Sequence, residues 1–143
     1  SLASPAGRPQ AVGLDDIVAI TLAPYREHAR IEIDGPVVAL DRNCLSPLAL
    51  ILHEWATNSM KYGALGSGGE RGLQVRWRAG DDGIILTWIE DAAVSDREPG
   101  KRGFGSVLVE TSVRQLRGAV TTADTDGQFR LDMRLPAGVL LRD

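Results

Sequence analysis

Apolar and polar residues alternate along several parts of the chain, which is the pattern of strands that are buried on one face. Ile31 and Ile33 alternate with acidic residues, and the turn residues Gly35 and Pro36 follow them. A second apolar run covers residues 37–40. Because two short apolar runs flank a turn signal, we predict that these two segments pair as a hairpin.

Two further hairpins are predicted downstream. Apolar positions in residues 73–78 alternate with glutamine and arginine, so one face of this strand is expected to be buried and the other wet. A turn signal at residues 81–83 leads into a strand over residues 84–90, which is apolar on both faces and is therefore expected to lie more centrally in the sheet. Residues 120–122 and 128–135 form the last predicted hairpin.

Three segments have helical patterns. Residues 14–28 are predicted as a helix, with acidic residues in the first turn and basic residues near the end. Ser46 and Pro47 are predicted to cap and start a second helix. A third helix is expected from about residue 105, and Gly118 is expected to close it.

This order of elements predicts one α+β domain. Helices interspersed among hairpins favour a two-layer α/β sandwich, in which helices cover one mixed, mostly antiparallel sheet. The length of 143 residues agrees with a single domain. The start of the chain is rich in Ser, Ala, Pro and Gly, so we expect residues 1–11 to be a flexible lead-in from a longer protein and residues 12–143 to form the domain.

The composition gives no reason to expect nucleic acid or a membrane as a partner. A net charge of −3, with 24% charged residues, gives no general reason to expect nucleic acid. No apolar run approaches the roughly 18 residues of a membrane span, so no direct membrane contact is expected. The single cysteine, Cys44, cannot form an internal disulfide, and a packed structural role is favoured over a nucleophilic one. These features favour a reducing, cytoplasmic setting.

The most informative segment is LHEWATNSMKYGAL, residues 52–65. Glu54, Asn58 and Lys61 are spaced i, i+4, i+7, which places them on one face of the predicted helix. A separate apolar stripe consists of Leu48, Ile51, Leu52 and Trp55. A carboxylate, a neutral amide oxygen and an ammonium group suit a magnesium-bound phosphate, because Mg²⁺ prefers oxygen ligands. An ordinary amphipathic helix with solvated charges has the same spacing, so spacing alone leaves both interpretations open.

The residues of this segment resemble the N-box of sensor histidine kinases of the HWE subfamily. In that subfamily a His-Glu pair precedes an Ala-Thr-Asn run and a Lys-Tyr-Gly-Ala ending. Here these residues are His53, Glu54, Ala56, Thr57, Asn58, Lys61, Tyr62, Gly63 and Ala64. The Trp-x-Glu element of the subfamily is similar to Trp88 and Glu90, and residues 103–110, GFGSVLVE, resemble the glycine-rich G2 box. The resemblance covers the chain from about Leu14 to Pro136.

The resemblance implies roles for the N-box residues. Asn58 matches the metal-ligating asparagine. Glu54 matches the acidic residue that orients water around the metal or assists proton removal from the attacking histidine, and Lys61 is placed at the phosphate oxygens, with a catalytic role. His53 and Tyr62 are placed in the nucleotide site by the same motif. Because the family carries its phosphoacceptor on a separate upstream domain, His53 is not expected to accept the phosphate.

The resemblance also implies nucleotide-binding residues beyond the N-box. Glu90 stands where the wider superfamily has the aspartate that recognises the adenine amino group, and Asp91 is an alternative or additional residue for this role. Trp88 fits a core position and a pocket wall equally well. The G2 box, whose helix-starting N–H groups favour phosphate, contributes Arg102, Gly103, Phe104, Gly105 and Ser106. The chain departs from the family at Ala92 and Ala93, which replace glycines of a Gly-Gly-Pro turn.

As a whole, the resemblance implies the GHKL ATPase fold, in which ATP lies between the helix layer and a lid, here expected at residues 91–102. It implies the catalytic domain of a bacterial two-component kinase that uses ATP and Mg²⁺ to phosphorylate a histidine on an upstream dimerisation domain of the same protein. Binding of ADP, a homodimeric parent protein and an indirect response-regulator partner are implied as well. Two alternatives stay open: a degenerate GHKL module that docks a partner, suggested by Ala92 and Ala93, and a GHKL relative that hydrolyses ATP for conformational work.

Overall fold

A computed structural model of the chain describes residues 11–92 and 106–141. Its main sheet consists of β2 (Arg30–Asp34), β4 (Gly72–Gly80), β5 (Gly83–Asp91), β6 (Ala119–Thr125) and β7 (Gln128–Pro136). The strand order is β2-β4-β5-β7-β6. The β2–β4 pair is parallel and the other pairs are antiparallel, which confirms the predicted mixed, mostly antiparallel sheet. The strand β5 is central, as its apolar character on both faces predicted.

Helices pack against one face of this sheet and complete the predicted two-layer α+β fold. They are α1 (Leu14–Leu22), α2 (Leu45–Tyr62) and α3 (Val107–Gln115), and α2 packs against both α1 and α3. A small antiparallel sheet joins β1 (Ala11–Gly13) to β3 (Ala39–Asp41). Within the described ranges, no helix combines the length and the apolar character needed to cross a membrane.

The two faces of the main sheet differ in composition. We call the face that packs against the helices the covered face. Its buried side chains on the three middle strands are Leu73, Val75, Trp77, Ile84, Leu86, Trp88, Phe129, Leu131, Met133 and Leu135. The opposite face, which we call the open face, carries Arg76, Arg78, Ile85, Thr87, Arg130, Asp132 and Arg134. The period-two alternation along the strands therefore separates an apolar core from an arginine-rich surface.

The predicted hairpin of residues 31–34 and 37–40 is wrong. In the structure β2 pairs in parallel with β4, whereas β3 pairs with β1 in the small sheet. Gly35 packs so closely on Trp77 that an added Cβ would lie 2.2 Å from the indole ring. The Trp77 indole also donates a hydrogen bond to the Pro36 carbonyl oxygen at 2.8 Å. The chain therefore continues past Trp77 instead of reversing on itself.

Two predicted helix boundaries also need correction. The helix expected over residues 14–28 ends at Leu22, and a 3-10 turn, Ala23–Tyr25, contains Pro24. Pro24 has no N–H group to donate to the carbonyl oxygen four residues earlier, so the regular α-helix ends before it, although Ala23 keeps helical backbone angles. The second helix starts at Leu45, after a 3-10 turn that Asp41 caps by accepting a hydrogen bond from the Asn43 N–H at 2.8 Å.

Cys44 is buried at the start of α2, in agreement with the predicted packed role. Burial, and to a lesser degree the negative charge of Asp41, raises the pKa of the Cys44 thiol above its ordinary value of 9.0. The thiol therefore stays protonated near neutral pH, which is the opposite of what a nucleophile needs.

Candidate functional site

The polar stripe of α2 lies on the side of the helix that faces away from the core. Glu54 and Asn58 are half-buried and Lys61 is exposed. The apolar stripe on the other side is fully buried, and its members are Leu48, Ile51, Leu52 and Trp55. The structure therefore brings the three predicted residues onto one accessible face, as their spacing predicted.

Asn58 has an unusual environment for an amide side chain. Its Nδ2 atom is buried and has no hydrogen-bond partner among the described residues. Buried polar atoms nearly always have partners, so an unpaired amide in a helix face is a feature that a bound group can satisfy. Within the described ranges, no group of three or more His, Cys, Asp or Glu side chains is placed to hold a metal ion. The unpaired Nδ2 donor of Asn58 fits an acceptor such as a phosphate oxygen, and the carbonyl oxygen of the same amide is a ligand type that Mg²⁺ accepts.

Glu90 ends β5 on the covered face and is 1% exposed. Its Oε1 atom accepts hydrogen bonds from the Ser59 hydroxyl at 2.7 Å and from the Ala64 N–H at 2.9 Å. Its Oε2 atom accepts a hydrogen bond from the Trp88 indole at 2.8 Å. The carboxylate is thus bound to the end of α2, to the turn that follows it and to its own strand. Recognition of adenine by Glu90 stays a prediction.

Trp88 lies in the core of the covered face. It is fully buried, and its ring meets the ring of Trp55 edge to face, with 5.6 Å between the centroids. Of the two roles that the sequence left open, the structure supports the core position.

Ser59 belongs to this cluster but was not predicted from the sequence. Its hydroxyl donates to Glu90 and accepts a hydrogen bond from the Leu65 N–H at 3.0 Å. A sequence signal existed, because Ser59 follows Trp55 by four residues and therefore lies on the apolar stripe. A hydroxyl at a buried position needs a partner, and that requirement pointed to a polar group on the facing strand.

The turn after α2 is tightly bonded to the helix end. Gly63 donates its N–H to the Ser59 carbonyl oxygen at 2.8 Å, and Gly66 donates to the Gly63 carbonyl oxygen at 3.2 Å. Gly66 approaches the helix so closely that an added Cβ would lie 2.1 Å from the Met60 carbonyl oxygen. The Ser67 hydroxyl donates to the Ala64 carbonyl oxygen at 2.7 Å. The polar stripe therefore ends in a fixed turn.

Among the described residues, Asp91 lies on the side of the sheet opposite the polar stripe of α2. It follows Glu90 by one position, so its side chain lies on the open face. There it accepts a hydrogen bond from the Gly72 N–H at 3.1 Å and lies 3.7 Å from the Arg30 guanidinium. The period of two along β5 therefore separates Asp91 from the polar stripe of α2. A nucleotide contact by Asp91 stays a prediction.

The remaining predicted residues are placed as follows. His53 is exposed, and its carbonyl oxygen accepts a hydrogen bond from the Thr57 hydroxyl at 2.9 Å. Tyr62 is 36% exposed at the end of α2. Ser106 caps α3, because its hydroxyl oxygen accepts a hydrogen bond from the Val109 N–H at 3.1 Å. Arg102, Gly103, Phe104 and Gly105 lie outside the described residues, as does most of the expected lid.

Comparisons with known proteins agree with the motifs and the fold. No protein-family model matches the chain. The chain is 33% identical over 117 residues to blue-light-activated histidine kinase 1 of Erythrobacter litoralis, covering 78% of this chain and 32% of that protein. It is 30% identical over 129 residues to a blue-light-activated histidine kinase of Rhizobium johnstonii, covering 88% of this chain and 37% of that protein. The chain therefore spans about a third of the length of these curated relatives.

A solved structure extends the similarity to the fold. The structure of the mycobacterial sensor histidine kinase MprB superposes with a TM-score of 0.67 at 16% identity, covering 88% of this chain and 95% of that chain. At this identity the similarity concerns the fold alone. Motifs, fold and curated relatives all agree, and the chain belongs to the HWE histidine kinase catalytic domains of the GHKL ATPase superfamily.

Proposed function

We propose that this domain binds ATP together with Mg²⁺ and transfers the γ-phosphoryl group to a histidine on an adjoining domain of its parent protein. The observation that carries the proposal is the polar stripe of α2, in which the half-buried Asn58 has an amide nitrogen without a partner among the described residues. On a fully solvated helix face, water would pair with the amide nitrogen, so a buried and unpaired nitrogen is not expected there.

Each residue of the stripe has a distinct role in this proposal. Asn58 holds the metal through its carbonyl oxygen, a ligand type that Mg²⁺ accepts. Bound Mg²⁺ neutralises phosphate charge. Lys61 adds a compact, flexible cation toward the phosphate oxygens. Glu54 orients water near the metal or accepts the proton of the attacking imidazole. In this view the domain acts by positioning and by charge stabilisation, as phosphoryl transfer requires.

Calorimetric titration tests the proposal most simply. The domain is expected to bind ATP more tightly with Mg²⁺ than without it, and Asn58→Ala is expected to remove that enhancement while leaving the unfolding temperature nearly unchanged. Asn43→Ala is a matched control, because Asn43 is exposed in the turn before α2. Full magnesium dependence in Asn58→Ala would contradict the metal role of this residue.

The context of the parent protein is part of the proposal. Its curated relatives are bacterial histidine kinases about three times as long as the matched segment. We therefore place the acceptor histidine on an upstream dimerisation domain, with a homodimeric parent, a response regulator downstream and an ATP-rich bacterial cytoplasm as the setting. The isolated domain is expected to bind nucleotide with little self-phosphorylation.

One observation favours the second candidate, a module that docks a partner without catalysis. Ala92, which replaces a glycine of the family's turn, packs against the core and donates its N–H to the Gly127 carbonyl oxygen at 2.8 Å. The backbone just after β5 is thus bonded to the turn between β6 and β7, at the position where the family has a glycine turn. Absence of ATP binding in a folded sample would favour this candidate.

A further inference from the structure

We propose that Glu90 is a positioning residue that fixes the C-terminal end of α2, and with it Asn58 and Lys61, through a buried hydrogen-bonded cluster. This inference rests on the proposed function and gives Glu90 a role other than contact with the adenine base. In the cluster Glu90 acts on the nucleotide only through the helix that presents the metal and phosphate ligands.

The cluster is a carboxylate surrounded by hydrogen-bond donors. Three donors from three parts of the chain converge on one carboxylate at 2.7–2.9 Å: the Ser59 hydroxyl, the Ala64 N–H and the Trp88 indole. Glu90 is 1% exposed, so water does not compete with these bonds. A carboxylate has about four acceptor sites, and these bonds occupy three of them.

The cluster holds residues that lie beside Asn58 and Lys61. Ser59 belongs to α2 and is directly adjacent to Asn58, and Ala64 follows Lys61 by three residues. The Ser59 hydroxyl also accepts the Leu65 N–H at 3.0 Å, so one serine joins helix, turn and strand. Because a helix rotates as a unit, fixing Ser59 and Ala64 fixes the direction in which Asn58 and Lys61 point.

The cluster depends on both the length and the carboxylate group of the Glu90 side chain. Among the described residues, the Glu90 carboxylate hydrogen-bonds β5 to Ser59 and to Ala64. Aspartate is shorter by one methylene group, so its carboxylate would lie farther from these two donors. An amide has one acceptor oxygen and two donor hydrogens, so glutamine loses the bond from the Trp88 indole. Glutamine and aspartate are therefore expected to loosen the end of α2 in different ways while keeping the residue polar.

Adenine recognition and positioning predict different nucleotide profiles. If Glu90 accepts the adenine amino group, its substitution lowers the affinity for ATP much more than the affinity for GTP. Aspartate, the residue of the wider superfamily, then restores the preference for ATP over GTP. If Glu90 positions α2, its substitution weakens both nucleotides by the same factor. The loss is then larger with Mg²⁺ than without it, because it acts through Asn58.

Calorimetry on the folded domain separates the two roles. Affinities for ATP with and without Mg²⁺, and for GTP with Mg²⁺, are measured for the wild type and for Glu90→Gln, Glu90→Asp and Ser59→Ala. Asp132→Asn is the matched control, because Asp132 is a hydrogen-bonded carboxylate on the open face. Amide hydrogen exchange at Ala64 and Leu65 reports loosening of the cluster in each variant.

Positioning predicts that Glu90→Gln weakens magnesium-dependent binding of ATP and GTP about tenfold, the usual effect of removing one buried partner. Glu90→Asp is not expected to rescue binding, and Ser59→Ala is expected to give a smaller loss in the same direction. Ser59→Ala keeps the test decisive where a Glu90 variant does not fold.

Three results would overturn the inference. A loss confined to ATP, or rescue of ATP selectivity by Glu90→Asp, would establish the adenine contact instead. Wild-type affinities in both Glu90→Gln and Ser59→Ala, in a domain that binds MgATP, would overturn this inference alone. A wild-type domain without magnesium-enhanced ATP binding would overturn the proposed function and this inference together.

Discussion

Two carboxylates on opposite faces of the same sheet have similar partners and different surroundings. Glu90, on the covered face, accepts hydrogen bonds from a hydroxyl, an indole and a backbone N–H, and it is 1% exposed. Asp132, on the open face, accepts from the Thr87 hydroxyl at 2.8 Å and from the Arg130 guanidinium at 2.8 and 3.2 Å. Only the first lies in the layer that contains the polar stripe of α2.

Because of this difference, loss of the two carboxylates has different energetic costs. Removing a buried acceptor leaves its donors unpaired away from water, which costs about 1–3 kcal/mol for each group. Removing one member of an exposed ion pair costs only about 0–1 kcal/mol, because water replaces it. We therefore expect loss of the buried Glu90 cluster to change stability and binding, and loss of the exposed Arg130–Asp132 pair to change little.

The largest expected effect is a difference in the free energy of unfolding between substitutions at two neighbouring residues of β5. Leu86 is fully buried on the covered face, whereas Ile85 is half-buried on the open face. Leu86→Ala is expected to lower the free energy of unfolding by about 2–5 kcal/mol, through lost burial and a residual cavity. Ile85→Ala is expected to cost about 1 kcal/mol or less. Urea denaturation of both variants measures this contrast, and equal losses would break the distinction between the faces.

The smallest expected effect is a pH dependence on the open face. Burial raises the pKa of Asp132, but hydrogen bonds from Arg130 and Thr87 and the charges of Arg130 and Arg134 outweigh it, so the pKa lies below its ordinary value of 3.8. A carboxyl whose pKa is lowered by folding contributes stability above its unfolded pKa, and this contribution is lost as the pH falls through the folded value. The contribution is less than about 1 kcal/mol, because the pair is near the surface.

The matched variant for this prediction is Asp132→Asn. Its deficit in the free energy of unfolding is expected to be constant at neutral pH and to shrink as the pH falls below about 4. Urea titrations at several pH values measure the deficit, with Asp126→Asn, at the exposed turn between β6 and β7, as the control. A deficit that grows toward acid pH would reverse the sign of the proposed ion-pair contribution.

Much of the fold could be predicted from local sequence patterns. The β4–β5 hairpin, the central place of β5 and the two faces of α2 follow from periods of two and 3.6 residues, because these patterns report burial directly. The pairing of β2 could not be predicted in this way. It joins segments about 40 residues apart in the sequence, and Gly35, directly after β2, packs on Trp77 of β4.

The candidate site was predictable in its position and less so in its contacts. Glu54, Asn58 and Lys61 share a face because helical spacing is fixed. The partners of Glu90 depend on tertiary packing between β5 and the end of α2, which no spacing rule contains. The contacts of Asp91 were not predictable either. Its neighbour Glu90 belongs to the candidate site, but side chains alternate along a strand, so Asp91 lies on the open face.

The most direct test of the account asks on which side of the sheet the nucleotide binds. Asn58 and the exposed, open-face Gln74 both carry side-chain NH₂ groups, which nuclear magnetic resonance resolves as separate signals. Loss of one pair of signals in Asn58→Ala and of another in Gln74→Ala assigns them. Addition of MgATP is expected to shift the Asn58 signals and to leave those of Gln74 unchanged. Shifts at Gln74 with an unmoved Asn58 would place the nucleotide on the open face and contradict the account.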